Sequence, residues 1–375
     1  MLKTIFINDT AATEGGALTI LKQFLDGINK YSNKDYIYYV FCSLAELKKY
    51  ENENIKIIND IKAKKWIDRI KWDLWGLKNW SKKNNIEANL IISFQNTGCR
   101  YFKNTKQLIY IHQPLPFYQD KKWSIFKRDE RILWFYQNIY KRIIKYSINK
   151  DSIIVVQTET MKEKLINALR WDSNKIFVIR PSFTNIDINQ VSKIDFNDNK
   201  FHIFYPAATV LYKNHEIIIK ALKYIKDKKE DIFHHLLVHF TFDNTSQRNL
   251  DLIQLINKLE VNDAIKLEGK LPYDKVLSFY KSCNLVVFPS YIESFCLPLI
   301  ETALFGLPLL VSDLDLSREV IGDYQGAKFL DYKDYKVWGD SIIEYYKEHP
   351  QFKPYELNYS NTWEHFFKLI DKLLL

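Results

Sequence analysis

No stretch of this 375-residue sequence is apolar for the roughly 18 residues a bilayer-spanning helix needs. The greasiest region, 284–312, is broken by Glu293, Pro298 and Glu301. The opening MLKTIFIND has no basic segment followed by a long apolar core, so no secretory leader is legible. The four cysteines, Cys42, Cys99, Cys283 and Cys296, are widely spaced and form no C-x-x-C pair, which argues against a disulfide framework or a zinc site. These absences lead us to expect a cytoplasmic protein. With ten Gly and ten Pro there is little material for long disordered linkers. G-x-G-x-x-G is missing, so a dinucleotide fingerprint is not supported. RNP-like aromatic spacing is missing too, which excludes the commonest RNA-binding pattern. His202, His234, His235 and His239 lack the spacing of a metal site.

What is present is ordinary globular material, 47% hydrophobic and 26% charged, long enough for two α/β domains. The charge is polarised. Residues 1–180 carry 32 Lys+Arg against 18 Asp+Glu, and the remainder carries 22 against 27. The first half therefore calls for an anionic partner such as membrane lipid, a phosphorylated acceptor or nucleic acid.

Short apolar runs alternate with helical patterns. TIFIN, YIYYVFC, NLIISFQ, QLIYIH, IIVVQT and IFVI read as strands, and the alternation restarts with FHIFYPA, HLLVHFTF, AIKLEG, LVVFPS and PLLVS. Strand–helix alternation means parallel sheets with helices on both faces. The polar segment near 181–200 is the natural boundary. We therefore expect a Rossmann-like domain over 1–180, a second over 181–355, and a C-terminal helix over 356–375 whose docking site is open. Two such domains usually bind ligand in a cleft at the carboxyl ends of their strands.

One such loop follows LVVFPS. YIESFC leads into PLIETALFG, a helix with Pro298 near its first turn and Gly306 at its end. Glu301 is then expected in the first turn and Glu293 in the loop. Free amides near Phe295, Cys296 and Leu297 would meet an anion or sugar hydroxyls.

The run PSYIESFCLPLIETALFGLPLLVSD resembles the donor-site motif of family 4 glycosyltransferases with the GT-B fold: Pro-Ser, Glu-x7-Glu with Phe and Pro between, then Gly-x-Pro. EGKLPYDKVLSFYKSCNLVVFPS resembles the segment leading into it, and FHIFYPAATVLYKNHEIIIKAL the start of the second domain with its Lys213–Asn214 pair. The resemblance covers most of 150–330. It implies that Glu301 binds the nucleotide ribose, that Glu293 sits near the donor sugar, and that Lys213 neutralises the diphosphate, with Asn214 beside it. Two positions depart from the pattern. Cys296 stands where the family often has Gly, and Ala208 where it commonly has Arg. Arg180 is one candidate for the missing phosphate charge.

In the first domain, TEGGALTILKQFL puts Gly15 and Gly16 between a strand and a helix, where the backbone can approach a ligand closely. It resembles the family's Gly-Gly loop that reaches donor phosphate or acceptor. His112 directly follows the strand in QLIYIHQPLPF, where the family carries a His lining the sugar site. Pro114 and Pro116 would stiffen that loop.

KKWIDRIKWDLWGLKNWSKK holds four of the nine Trp. On an α-helical wheel Ile67, Ile70, Leu74 and Leu77 form the core face, with Trp72 and Trp75 opposite among Lys64, Lys65, Lys71 and Lys78. Such a face is either a solvated basic helix or a membrane-interface anchor.

Taken with the resemblance, the expected activity is retaining transfer of a sugar from a nucleotide-diphosphate-sugar to a saccharide acceptor, without cofactor or essential metal. A lipid-linked acceptor, as in bacterial surface-polysaccharide assembly, and peripheral contact with an anionic membrane would suit the basic half; no nucleic-acid partner is expected. The rival readings are a GT-B nucleotide-sugar epimerase and a non-catalytic module that binds anionic surfaces.

Overall fold

The computed structural model describes residues 2–13, 15–61, 63, 66–181, 186–356 and 362–375. Lys64, Lys65 and residues 182–185 of the expected boundary lie outside them. Contacts divide the chain into two compact units. One comprises Met1–Phe126, Arg131–Thr184 and Tyr359–Leu375; the other comprises Lys127–Glu130 and Asn185–Asn358.

The first unit holds β1 (Lys3–Asn8), β2 (Tyr36–Phe41), β3 (Ile55–Ile58), β4 (Leu90–Ser93), β5 (Lys106–Tyr110), β6 (Ile153–Val156) and β7 (Ile176–Val178). They form one sheet in the order β3-β2-β1-β4-β5-β6-β7, with every pair parallel. The second unit holds β8 (Phe201–Tyr205), β9 (Leu236–Phe240), β10 (Ile265–Leu267), β11 (Leu285–Phe288), β12 (Leu309–Ser312) and β13 (Ala327–Leu330). Their order is β10-β9-β8-β11-β12-β13, again all parallel. Central strands such as β4, β8 and β11 are buried at every position, as a parallel sheet covered on both faces requires.

The C-terminal helix Thr362–Leu374 docks within the first unit, against the helix Gly15–Tyr31. Phe367 stacks on Phe24 with centroids 5.3 Å apart, and Trp363 Nε1 donates to Gln23 Oε1 at 3.2 Å. A Cβ at Gly27 would lie 2.8 Å from the Phe367 ring, so the two helices meet where one side chain is missing.

The segment 66–84 departs from the wheel reading. A π-helical turn, Trp72–Gly76, interrupts the α-helix. The extra residue in that turn shifts everything beyond it off the 3.6 period. Leu77 is buried as expected, but Ile67 is 52% exposed. Trp72 turns inward instead of outward: its ring lies 5.7 Å from that of Phe41 and its Nε1 donates to Asn8 Oδ1 at 2.9 Å. Trp75 stays outside, 49% exposed and stacked on Tyr101.

Candidate active site

In an open parallel sheet the crevice for a ligand lies where neighbouring strands send their following loops in opposite directions. In the second unit that point falls between β8 and β11, since β9 flanks β8 on one side and β12 flanks β11 on the other. The loop after β8 ends in a short 3₁₀ turn, Leu211–Lys213, and the loop after β11 carries Ser290 to Cys296.

These two loops are clipped together through the main chain. Tyr291 N donates to Tyr212 O at 3.0 Å, and Ser290 Oγ lies 3.3 Å from the same carbonyl. Asn214 takes the left-handed conformation, φ 56°, and its amide donates to Pro289 O at 3.3 Å and Tyr332 O at 2.9 Å. Its side chain therefore braces the loops, and only its position adjoins the site.

The brace brings Lys213 and Glu293 together. Lys213 Nζ donates to Glu293 Oε1 at 2.5 Å, and Ser290 Oγ donates to the same oxygen at 2.5 Å. Both side chains are mostly buried, 18% and 15% exposed. Burial alone would lower the Lys213 ammonium, but the Glu293 carboxylate, by its charge and its hydrogen bond, holds the lysine pKa above the ordinary value. Lys213 is a fixed cation at the switch point.

Beyond Glu293 the chain turns through Phe295, 2% exposed, into the helix Leu297–Leu304. Cys296 caps that helix at φ 63°, ψ 67°, left-handed geometry that glycine adopts without strain. The thiol is buried and pushed well above its ordinary pKa by burial, so it is a neutral packing group. Leu297 opens the helix; Pro298 after it has no amide hydrogen and Leu299 N already donates to Cys296 O at 3.1 Å, so the Leu297 amide is the first-turn donor closest to the loop. Glu301 is the fifth residue of the helix, not a first-turn residue, so dipole complementarity does not explain it. Instead Tyr273 OH donates to Oε1 at 2.8 Å and Tyr280 OH to Oε2 at 3.4 Å. Burial raises its carboxyl pKa while those two hydroxyls draw it back. Gly306 at φ 69° ends the segment, where a Cβ would lie 2.7 Å from Phe352 O.

At Ala208 no basic side chain stands. A guanidinium nevertheless reaches the same loop. Arg248 Nε donates to Thr209 O at 3.1 Å, while its Nη2 pairs with Glu216.

The first unit has its own switch point, between β1 and β4. Gly15, at φ 62°, and Gly16 open the helix after β1, and nothing lies within 4 Å of a Cβ built on either. His112 follows β5, with its amide and that of Gln113 held by Asn96 Oδ1 at 2.8 and 2.9 Å. Its buried Nδ1 has no hydrogen-bond partner among the described residues. Burial, with Arg69 nearby, lowers its pKa to about 4, so the ring is neutral.

Sequence reasoning missed two carboxylates here. Asp73 Oδ1 accepts from Asn8 Nδ2 and Gln95 Nε2, both at 2.7 Å, and its Oδ2 accepts from Thr97 Oγ1 at 2.6 Å. Asp9, directly after β1, is 1% exposed, and its Oδ2 has no hydrogen-bond partner among the described residues. Burial pushes its carboxyl up to about 8 against the pull of the Ala12 amide and Arg69. Its place just past a strand end, at the sheet's switch point, was the available signal. Among the described residues no His, Cys, Asp and Glu group is arranged to hold a metal ion, and all four cysteines are buried thiols.

Residues 187–358 match the family of glycosyl transferases group 1. O-antigen chain mannosyltransferase RfbU of Salmonella typhimurium is 26% identical over 248 residues, covering 64% of this chain and 65% of that protein. The chain thus spans just under two thirds of that relative. HepE of Anabaena, solved with UDP and glucose, superposes with a TM-score of 0.63 at 15% identity, over 93% of this chain and 90% of that one. WaaG, a glycosyltransferase involved in lipopolysaccharide biosynthesis, does so with a TM-score of 0.65 at 11% identity, over 98% and 99%. The braced Lys213–Glu293 loops and the helix carrying Glu301 lie inside the segment that matches the group 1 glycosyltransferases, and the two parallel-sheet units are those of the GT-B fold.

Proposed function

We propose that the chain is a retaining, family 4-type glycosyltransferase that moves a sugar from a nucleotide-diphosphate-sugar to a saccharide acceptor. The reading rests chiefly on the buried Lys213 ammonium held beside Glu293 at the β8/β11 switch point. A diphosphate leaving group needs positive charge as the glycosidic C–O bond breaks, and a preorganised cation in a partly dry site supplies it. The amide of Leu297 and the positive end of the helix it opens add to that field. Glu301 accepts from the ribose hydroxyls in place of its tyrosine partners. With charge supplied by lysine and helix, no divalent metal or other cofactor is required.

Transfer on one face of the ring fits this site. The bond from C1 to the phosphate oxygen breaks, the acceptor oxygen bonds C1 from the same side, and the acceptor proton passes to the departing phosphate. No enzyme nucleophile is needed, so Glu293 positions Lys213 and the sugar. His112, Gly15 and Gly16 of the first unit serve the sugar and the acceptor. A lipid-linked saccharide of bacterial surface-polysaccharide assembly is the acceptor class favoured by the basic first half and by the names of RfbU and WaaG. Work at the inner face of the cell membrane follows from that acceptor; among the described residues no helix is long and apolar enough to cross one.

The test is incubation with UDP-, GDP- and dTDP-sugars in the presence of EDTA, with and without extracted lipid-linked saccharides, followed by NMR of the product anomer. Transfer with the donor's configuration retained is the expected result. Inverted product refutes retention, and conversion of the donor to its epimer without any acceptor refutes transfer.

A further inference from the structure

The first unit contains an apolar pocket of about 240 Å³ that the donor chemistry does not use. Ile70 and Leu74 line one side and Ile139 and Ile143 another, with Asp73, Thr97 and Ser147 at the polar positions. Both flanking helices carry a π-helical turn there, Trp72–Gly76 and Tyr136–Tyr140. Such turns insert a residue and recur at functional sites.

The pocket's chemistry narrows its occupant. Asp73 already accepts from Asn8, Gln95 and Thr97, and Thr97 Oγ1 is the donor of one of those bonds. Ser147 Oγ donates to Ile144 O at 2.8 Å and accepts from Gly98 N at 2.9 Å. Every polar side chain on the wall other than the rim is thus satisfied internally. A polar ligand finds nothing to bond, and an apolar chain displaces only poorly held water.

The rim is cationic and aromatic. Arg142 lines the pocket, is exposed, and makes no ion pair or hydrogen bond among the described residues. Arg100 lies over the ring of Tyr146, itself a lining residue and 52% exposed, at 4.0 Å. Exposed Trp75 stacks on Tyr101 next to Arg100 in sequence. An open apolar pocket beneath an unpaired guanidinium and exposed aromatics matches an amphiphile with an anionic head and one aliphatic tail.

We propose that this pocket receives the hydrocarbon tail of a lipid phosphate acceptor, with Arg142 meeting its phosphate. The proposal rests on the lipid-linked acceptor reading above. Calorimetry with a series of n-alkyl phosphates, inorganic phosphate and decanol tests it, with a nucleotide-sugar titration on each protein as an independent arm. Affinity rises roughly three- to fourfold per methylene through the short members, then levels once the chain fills the pocket; inorganic phosphate alone does not register. Leu74→Trp and Ile143→Trp, which fill the pocket from opposite walls, weaken decyl phosphate at least tenfold and leave nucleotide-sugar affinity unchanged. Arg142→Ala weakens decyl phosphate but not decanol.

Chain-length-independent binding by the wild-type protein, or decyl phosphate affinity unaltered in both filled variants, overturns the proposal. So does decanol binding as tightly as decyl phosphate, which makes the pocket a site for neutral apolar molecules. Alkyl phosphate binding by a protein with no nucleotide-sugar affinity leaves the pocket standing and overturns the transferase reading instead.

Discussion

Lys213 and Glu293, 80 residues apart in sequence, share one hydrogen bond at 2.5 Å, and Ser290 holds the same carboxylate oxygen from its own loop. The pair joins the two loops that diverge at the sheet's switch point, so it is a brace, and on the proposed reading its lysine is also the cation that meets the leaving group.

That double role separates two effects of mutation. Lys213→Met removes the cation and leaves Glu293 without its charged partner; we expect turnover to fall about 10²- to 10³-fold and stability to fall about 1–3 kcal/mol. Adding Glu293→Gln removes the unpaired charge and should restore most of the stability but none of the turnover. Urea denaturation midpoints and kcat for the single and double variants check this. Recovery of turnover in the double variant would mean that Lys213 acts only on Glu293.

Cys296 supplies a conformational test. Its φ of 63° suits glycine and disfavours a β-branched residue. Cys296→Val should cost about 1–2 kcal/mol and weaken nucleotide binding by misplacing the Leu297 amide. Cys296→Gly should keep nucleotide affinity within roughly twofold, since only backbone contact is involved. Thermal melts and calorimetry on the two variants decide it; equal effects would place the thiol itself in contact with the ligand.

Asp9 carries a pH signature. Its carboxyl titrates at about 8 in the folded protein and near 3.8 when exposed. Between those values the unfolded chain has lost a proton that the folded chain keeps. This group's contribution to stability is therefore full below pH 3.8 and is lost as pH rises towards 8. Asp9→Asn cannot ionise, so its Tm relative to wild type should rise steadily from pH 5 to pH 8. A difference independent of pH would show that Asp9 is already ionised in the fold.

Much of this architecture is legible in the sequence because parallel strands buried on both faces leave continuous apolar runs, as in NLIISFQ and LVVFPS. β3 and β13 escape that reading: each is four residues long at a sheet edge, and IKII and AKFL both carry a lysine. The loop and helix after β11 are legible through their spacing, down to Pro298 in the first turn and Gly306 at the end. Their geometry is not. The tyrosines holding Glu301 come from 28 and 21 residues upstream, and only tertiary packing brings them in. Trp72 was misread for a different reason: the α-helical period is a poor ruler across a π turn that apolar patterning does not announce. Asp9 does not stand out because lone aspartates after strands are commonplace, and Asp73 because it sits inside a helical segment; the burial of both is a property of the fold.

The central claim is that the helix beginning at Leu297 and the Lys213–Glu293 pair form a nucleotide-sugar site. Calorimetry of the wild-type protein and Glu301→Ala against UDP-, GDP- and dTDP-sugars tests it most directly. We expect one nucleotide series to bind saturably to the wild-type protein. Glu301→Ala should weaken it by about 1.5–3 kcal/mol, the range for hydrogen bonds to a charged group, and Tyr273→Phe should leave it within about threefold. No binding of any nucleotide-sugar, or unchanged affinity in Glu301→Ala, would contradict the account.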